Sequence, residues 1–148
     1  MTISTPKLVV RRIVEAPPEE VFRAWTEPEQ LRQWWGPPGV ECTFATIDCR
    51  AGGTYRIGNR LPGRDLIWIT GQYEKVSPPH ELVFTWRIEG RSDPLERVTV
   101  QFRRAGSGTE VCVLHERIPD VATREQHEAG WIGCLEGLSH FLGNSHAA

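Results

Sequence analysis

The side chains with the most chemical reach are His115, the neighbouring Glu116, and His127, which falls one helical turn before Trp131. Imidazole titrates near neutrality, so a histidine beside a carboxylate can give or take a proton from a bound molecule. The spacing places His115 at the end of a strand and His127 near the start of a helix, and the two converge at one end of a shared groove. Against catalysis, no nucleophile stands at a base-pairing distance in the sequence. His127 with Glu128 at a helix start is ordinarily solvated, and His115 has a structural role available in bonding the helix amino end. No catalytic residue is assigned.

Other familiar chemistries find no foothold. The sequence holds no glycine-rich phosphate loop, no H-E-x-x-H and no G-x-S-x-G. Cys42, Cys49, Cys112 and Cys134 form no C-x-x-C pair and fall in three separate elements, which fits reduced thiols and predicts neither disulfide, metal nor cofactor. Lys and Arg number 17 against 19 Asp and Glu, for a net charge of -2, with both signs scattered. Nothing in that balance suggests a nucleic-acid partner. No apolar stretch approaches the ~20 residues of a membrane span. Met1 to Pro6 lacks the basic residue and apolar run of a secretory signal, so we expect no membrane association and a cytoplasmic protein. The one compositional excess is tryptophan, at positions 25, 34, 35, 68, 86 and 131. Each brings a large apolar body and one N–H, suited to a core or to a pocket wall.

The elements that must position these residues follow from the hydropathy pattern. Residues 7–15 read as a strand, ended by Pro17-Pro18, which then starts a helix with Glu19 and Glu20 at its positive end. A second short helix follows, with Thr26 and Glu29 at capping-box spacing, and Gly36-Pro37-Pro38-Gly39 closes it. Strands are expected over 40–48, 53–59, 65–76, 81–89, 95–104 and 109–116, joined by spacers too short for anything but antiparallel neighbours. Leu82, Phe84, Trp86 and Ile88 alternate with Val83, Thr85 and Arg87, and Val98, Val100 and Phe102 with Arg97, Thr99, Gln101 and Arg103, so one face of each strand meets a core. Leu66-Ile67-Trp68-Ile69 is apolar on both faces, which leaves the direction of Trp68 open, and Gly71 marks a bulge or bend. From Thr123 to Leu142, Trp131, Cys134, Leu135, Leu138, Phe141 and Leu142 recur at three and four, with Thr123 and Gln126 as a second capping box. A helix of that length spans ~30 Å, enough to lie along a strand from end to end. The fold expected is α+β: a curved antiparallel sheet of about seven strands around a long C-terminal helix, one domain over 1–148.

These stretches resemble a known family. Ala16-Pro17-Pro18-Glu19-Glu20-Val21-Phe22-Arg23-Ala24-Trp25-Thr26-Glu27-Pro28, then Leu31 with Trp34-Trp35-Gly36-Pro37, Gly71-Gln72-Tyr73, and Pro78-Pro79-His80-Glu81-Leu82-Val83-Phe84-Thr85-Trp86 are similar to homologues of the activator of heat-shock protein 90 ATPase, as are Gly108 to Val111, His115-Glu116 and His127 to Trp131. That family lies in the START-like superfamily, with polyketide cyclases and lipid-transport proteins of the birch-pollen-allergen kind. The resemblance implies a helix-grip fold with a cavity between sheet and C-terminal helix. It implies a small hydrophobic or aromatic ligand as the first reading. A cyclase- or hydrolase-type enzyme using His115, His127 and Glu116 is the second, and a chaperone-contacting or stress-response module the third. Fold alone does not name the cargo.

The cavity wall expected on this reading comprises Trp68, Phe84, Trp86, Val100, Phe102, His115, His127, Trp131, Leu135 and Leu138, with Arg56 reaching inward to an anionic group on the ligand. Of Trp34 and Trp35, adjacent on a helix, one is expected to plug the core and the other to lie on the surface or across the helix exit. Gly130, Gly133 and Gly137 make a stripe on the long helix. Each is ~1 kcal/mol poorer than Ala in a helix, a loss offset by close contact with the sheet, by contact with a second copy in a homodimer, or by room for a ligand.

Overall fold

The computed structural model describes residues 6–36, 39–91 and 94–146, the last three of these as backbone alone. Pro37 and Pro38, expected to help close the second helix, lie outside them, as do Ser92 and Asp93 of the expected turn after residue 89. The elements are β1 (Leu8–Val14), α1 (Pro18–Thr26), α2 (Pro28–Trp34), β2 (Glu41–Ile47), β3 (Thr54–Arg60), β4 (Leu66–Ser77), β5 (Glu81–Ile88), β6 (Glu96–Ala105), β7 (Gly108–Glu116) and α3 (Val121–His146). This is the expected order, with α3 longer at both ends.

All seven strands form one antiparallel sheet in the order β1-β7-β6-β5-β4-β3-β2. β2 to β7 are a meander, and β1 closes the far side by pairing with β7, Leu8 opposite His115 and Val14 opposite Thr109. Gly71 allows the curvature. The register shift between β4 and β5 falls just beyond it, between Tyr73 and Lys75 rather than at the glycine, and a Cβ at Gly71 would lie 1.9 Å from the Thr85 carbonyl oxygen. Only glycine tolerates so close an approach of two backbones.

The inner face of the sheet follows the period of two. Leu82, Phe84 and Trp86 on β5, Val98, Val100 and Phe102 on β6, and Val111, Val113 and His115 on β7 are all buried. On β3 the buried set is Tyr55, Ile57 and Asn59, which settles the face of the strands whose direction the sequence left open. α3 lays Trp131, Cys134, Leu135, Leu138 and Leu142 on that surface. Each fully buried large apolar side chain contributes roughly 1.5–3 kcal/mol.

The helix caps differ from expectation. Thr26 is the last residue of α1, and its hydroxyl donates to the Phe22 carbonyl at 3.0 Å rather than capping α2. Glu27 takes the N-cap position of α2, where Pro28 already supplies a residue that lacks the N–H a cap would serve. In α3 the Thr123 amide donates to the Asp120 carboxylate at 2.7 Å, so an aspartate just before the helix caps it and Thr123 lies inside.

Trp34 and Trp35 also depart from expectation, because both are buried, at 3% and 7% exposure. α2 ends at Trp34, and the extended backbone of Trp35 (φ −68, ψ 133) turns its ring to the same side. Trp34 donates its N–H to the Ala24 carbonyl at 3.0 Å, while Trp35 meets Trp25, Trp86 and Trp131.

Candidate functional site

A buried polar cluster forms where β6, β7 and α3 meet. Glu96 opens β6 directly opposite Trp86 of β5, and Val98, two residues on, faces His115 of β7. Alternation therefore puts Glu96, Trp86 and His115 on one inner face. His127 and Trp131, one turn apart on α3, cover them. A single carboxylate oxygen, Oε1 of Glu96, accepts from His115 Nε2 at 2.7 Å and from His127 Nε2 at 2.8 Å. The indole N–H of Trp131 donates to His115 Nδ1 at 3.0 Å. The imidazoles stack with centroids 4.4 Å apart at 16°, and Trp86 meets both edge-on.

These contacts fix the protons. Because His115 Nδ1 accepts from Trp131, its proton is on Nε2, and the ring is neutral. Burial is the main reason that its pKa lies below the ordinary histidine value; the Glu96 bond opposes the shift, and a proton gained by His127 would add to it. For Glu96, burial alone would raise the carboxyl. The two imidazole hydrogen bonds and the histidine charges together outweigh it and hold the pKa at about 2. Glu96 is thus a carboxylate, and His127 must donate through Nε2. That leaves Nδ1 of His127 as its one lone pair, with no partner among the described residues.

Glu96, His115 and His127 each place a ligand atom within 4.8 Å of the others, as a metal site would. The hydrogen-bond direction argues against that use. A ligating histidine normally donates its second N–H to an acceptor, whereas His115 receives a donor there and needs its Nε2 proton. It has no lone pair left to coordinate.

Beside the cluster, between α3 and the inner faces of β3, β4 and β5, lies a pocket of about 180 Å³. Its walls are Trp35, Ile67, Ile69, Trp86, Trp131 and Cys134, with Asn59, Gln126 and His127 as the polar members. Gly130 lines it too, and a Cβ at that glycine would touch nothing within 4 Å. Two buried polar atoms of the lining, Asn59 Oδ1 and Trp86 Nε1, have no hydrogen-bond partner. Burial pushes the Cys134 thiol up to about 12, so it is a wall atom rather than a nucleophile. A second void, of about 20 Å³, lies deeper among Trp25, Tyr55, Tyr73 and Phe84. A wider groove of about 1040 Å³ runs outside α2 and α3 past Arg32 and Glu136, but it is open to solvent and would desolvate a guest poorly.

The expected wall residues therefore divide. Trp86, His127 and Trp131 line the pocket, and Phe84 lines the small void. His115 is fully buried behind Trp86 and Trp131. Val100, Phe102, Leu135 and Leu138 are buried in the core and line neither void, because helix side chains fill the space above them; Phe102 meets Phe22 and Trp25. Arg56 and Trp68 face the outside of the sheet, contrary to expectation. Arg56 pairs with Glu89 at 2.7 Å and lies over the Trp68 ring at 3.7 Å, and Trp68 also packs on Phe44. The inner phase of β3 belongs to Tyr55, Ile57 and Asn59, so Arg56 must point away. Glu116 is one residue out of phase with His115 and opposes Arg97, leaving Glu96 as the carboxylate that meets the histidines.

Glu96 and Asn59 were missed, though each had a signal. Counting back by two from Phe102, Val100 and Val98 reaches Glu96, and counting on from Tyr55 and Ile57 reaches Asn59. A polar residue in the buried phase of a strand is the observation that carried the information.

Fold and site together define a helix-grip domain with a small, partly open apolar pocket between its sheet and C-terminal helix, beside a histidine–carboxylate cluster. The family model for "Activator of Hsp90 ATPase homolog 1-like protein" matches residues 15–143, and the chain belongs to that family. Among solved structures, an AHSA1 protein from Silicibacter pomeroyi is 24% identical, with a TM-score of 0.85, covering 95% of this chain and all of that one (100%). A protein from Chromobacterium violaceum is 26% identical with a TM-score of 0.82, covering 91% of this chain and 96% of the other. CalU16 from Micromonospora echinospora is 25% identical with a TM-score of 0.69, covering 91% and 74%. No curated protein matches. Among the described residues no helix is long and apolar enough to cross a membrane.

Proposed function

We propose that this protein binds a small hydrophobic or aromatic molecule, of about one ring, in the pocket between the sheet and α3. The supporting observation is the 180 Å³ pocket walled by Trp35, Trp86 and Trp131, in which buried polar atoms of Asn59 and Trp86 lack partners. Helix-grip folds generally hold hydrophobic ligands at this place, and aromatic walls with a few polar groups suit an oriented apolar guest. Size narrows the class. An apolar cavity of ~150 Å³ accepts benzene, while drug-sized ligands need roughly 300–1,000 Å³. A flavonoid or a folded polyketide would exceed the space. Four free cysteines fit a reducing cytoplasmic setting, which we include in the proposal.

The glycine stripe fits this reading without a second subunit. Gly137 is occupied by packing, since a Cβ there would lie 2.7 Å from the Trp34 carbonyl oxygen, and Gly130 borders the pocket. A thermal-shift and tryptophan-fluorescence series running from single-ring to three-ring aromatics tests the proposal. Saturable quenching and a raised Tm are expected for the single rings and not for the larger compounds. A response to none of them would refute it.

A further inference from the structure

The ligand class can be narrowed by asking what His127 offers a guest. The inference rests on the pocket reading above and goes beyond it. His127 lines the pocket, its Nε2–H is committed to Glu96 at 2.8 Å, and Nδ1 is the lone pair that remains. The ring is held from three sides. Glu96 fixes its outer nitrogen, His115 stacks on its face at 4.4 Å, and Trp86 meets its edge at 5.9 Å. A histidine oriented in this way by a buried carboxylate is a preorganised proton acceptor, because the imidazolium formed on accepting a proton stays paired with that carboxylate. His115 cannot share the task, since Trp131 occupies its Nδ1.

We infer that the ligand is a single-ring compound bearing a hydroxyl that its ring makes acidic, an electron-poor phenol or an enol, which passes its proton to His127 Nδ1 on binding. In that step the O–H bond breaks and its electron pair stays on oxygen. An N–H bond forms at Nδ1, giving an imidazolium between the Glu96 carboxylate and the bound oxyanion. The charged or titratable groups facing His127 are Glu96 from β6 and His115 from β7; the other titratable side chain of the lining is Cys134, a neutral thiol. Among the described residues that line the pocket there is no lysine or arginine.

The test uses 4-nitrophenol, whose ionisation is visible in its absorbance, and 4-nitrotoluene, of nearly the same shape with no acidic proton. Both are titrated into the full chain and into His127→Gln near neutral pH, where free 4-nitrophenol is a mixture of phenol and phenolate and an imidazole is largely neutral. Expected are binding of 4-nitrophenol about tenfold tighter than 4-nitrotoluene, as for one charge-assisted hydrogen bond, and a rise in phenolate absorbance on binding. In His127→Gln the ratio should fall to near one and the rise in phenolate absorbance should vanish. Equal binding of the two probes, no rise in phenolate on binding, or a rise that survives in His127→Gln would each overturn the inference while leaving the pocket reading intact. Failure of both probes to bind the unmodified chain would overturn the pocket reading itself.

Discussion

The two ends of the groove under α3 are built from the same kinds of residue and reach opposite outcomes. At one end Phe22 and Trp25 of α1 descend onto Phe102, and Trp25 in turn stacks on Trp131 at 5.9 Å, leaving no more than a void of about 20 Å³. At the other end no helix of that kind descends. The α3 residue above is Gly130, and about 180 Å³ stays open beside Trp86. Tryptophan content therefore does not by itself mark a binding wall. What distinguishes the open end is a missing side chain on the helix above and polar groups in the buried phase of the strands below.

The largest effect that would sharpen this contrast is a truncation at the packed end. Phe102→Ala should cost about 3–5 kcal/mol in denaturant unfolding, because rings on both sides are held in place. Ile67→Ala, in the wall of the open pocket, should cost distinctly less; equal losses would mean that the open end is packed as tightly as the closed one.

Next comes the polar cluster that closes the open end. Glu96→Gln keeps the shape, and its carbonyl oxygen can take the place of Oε1, but the negative charge that strengthens both imidazole bonds is lost, at a cost of about 1–2 kcal/mol. Its pH signature is specific. His115 has a folded pKa below its ordinary 6.5, so its contribution is complete above that pH and is lost as pH falls below it. Glu96, depressed from 4.5 to about 2, adds a further loss between those values. Stability should be flat above neutrality, decline below pH 6.5 and steepen below 4.5, and Glu96→Gln should make the lower part shallower, leaving the share that comes from the lowered carboxyls of Glu81, Glu89 and Asp120. A Tm that does not move between neutral and acid pH would contradict the assignment of a neutral His115 and an ionised Glu96.

The smallest effect separates two glycines of one helix. Gly130→Ala meets open space and should gain up to about 1 kcal/mol from helix propensity. Gly137→Ala would press on the Trp34 backbone and should lose about 1–3 kcal/mol by overpacking. Chemical denaturation of the two variants would show the opposite signs.

The sequence made the architecture legible because strand alternation and helix period are local. Leu82 to Trp86, Val98 to Phe102 and the run from Trp131 to Leu142 each declared an inner face. It also brought His115 and His127 to one end of the groove, since one closes β7 and the other opens α3. Which carboxylate joins them was hidden. Glu116 is adjacent in sequence, whereas Glu96 reaches the histidines through pairing between strands nearly twenty residues apart (|i−j| 19). Arg56 failed although the phase of β3 could be read: Tyr55 and Ile57 flank it on the inner face, which puts Arg56 on the other side. Nor was the size of the cavity legible, because it is set by how far Phe22, Trp25 and Trp35 enter from helices that the sequence alone cannot dock.

The most direct measurement of the open-and-closed account is a nitrogen–proton correlation spectrum of the six tryptophan indoles during titration with phenol. Trp25 and Trp86 both have indole N–H groups without partners, one at each end. The account predicts that the Trp86 signal moves saturably, with Trp131 and the Gly130 amide following, while Trp25 and Trp34 stay in place. Movement of Trp25 in preference to Trp86, or no saturable movement at all, would contradict it.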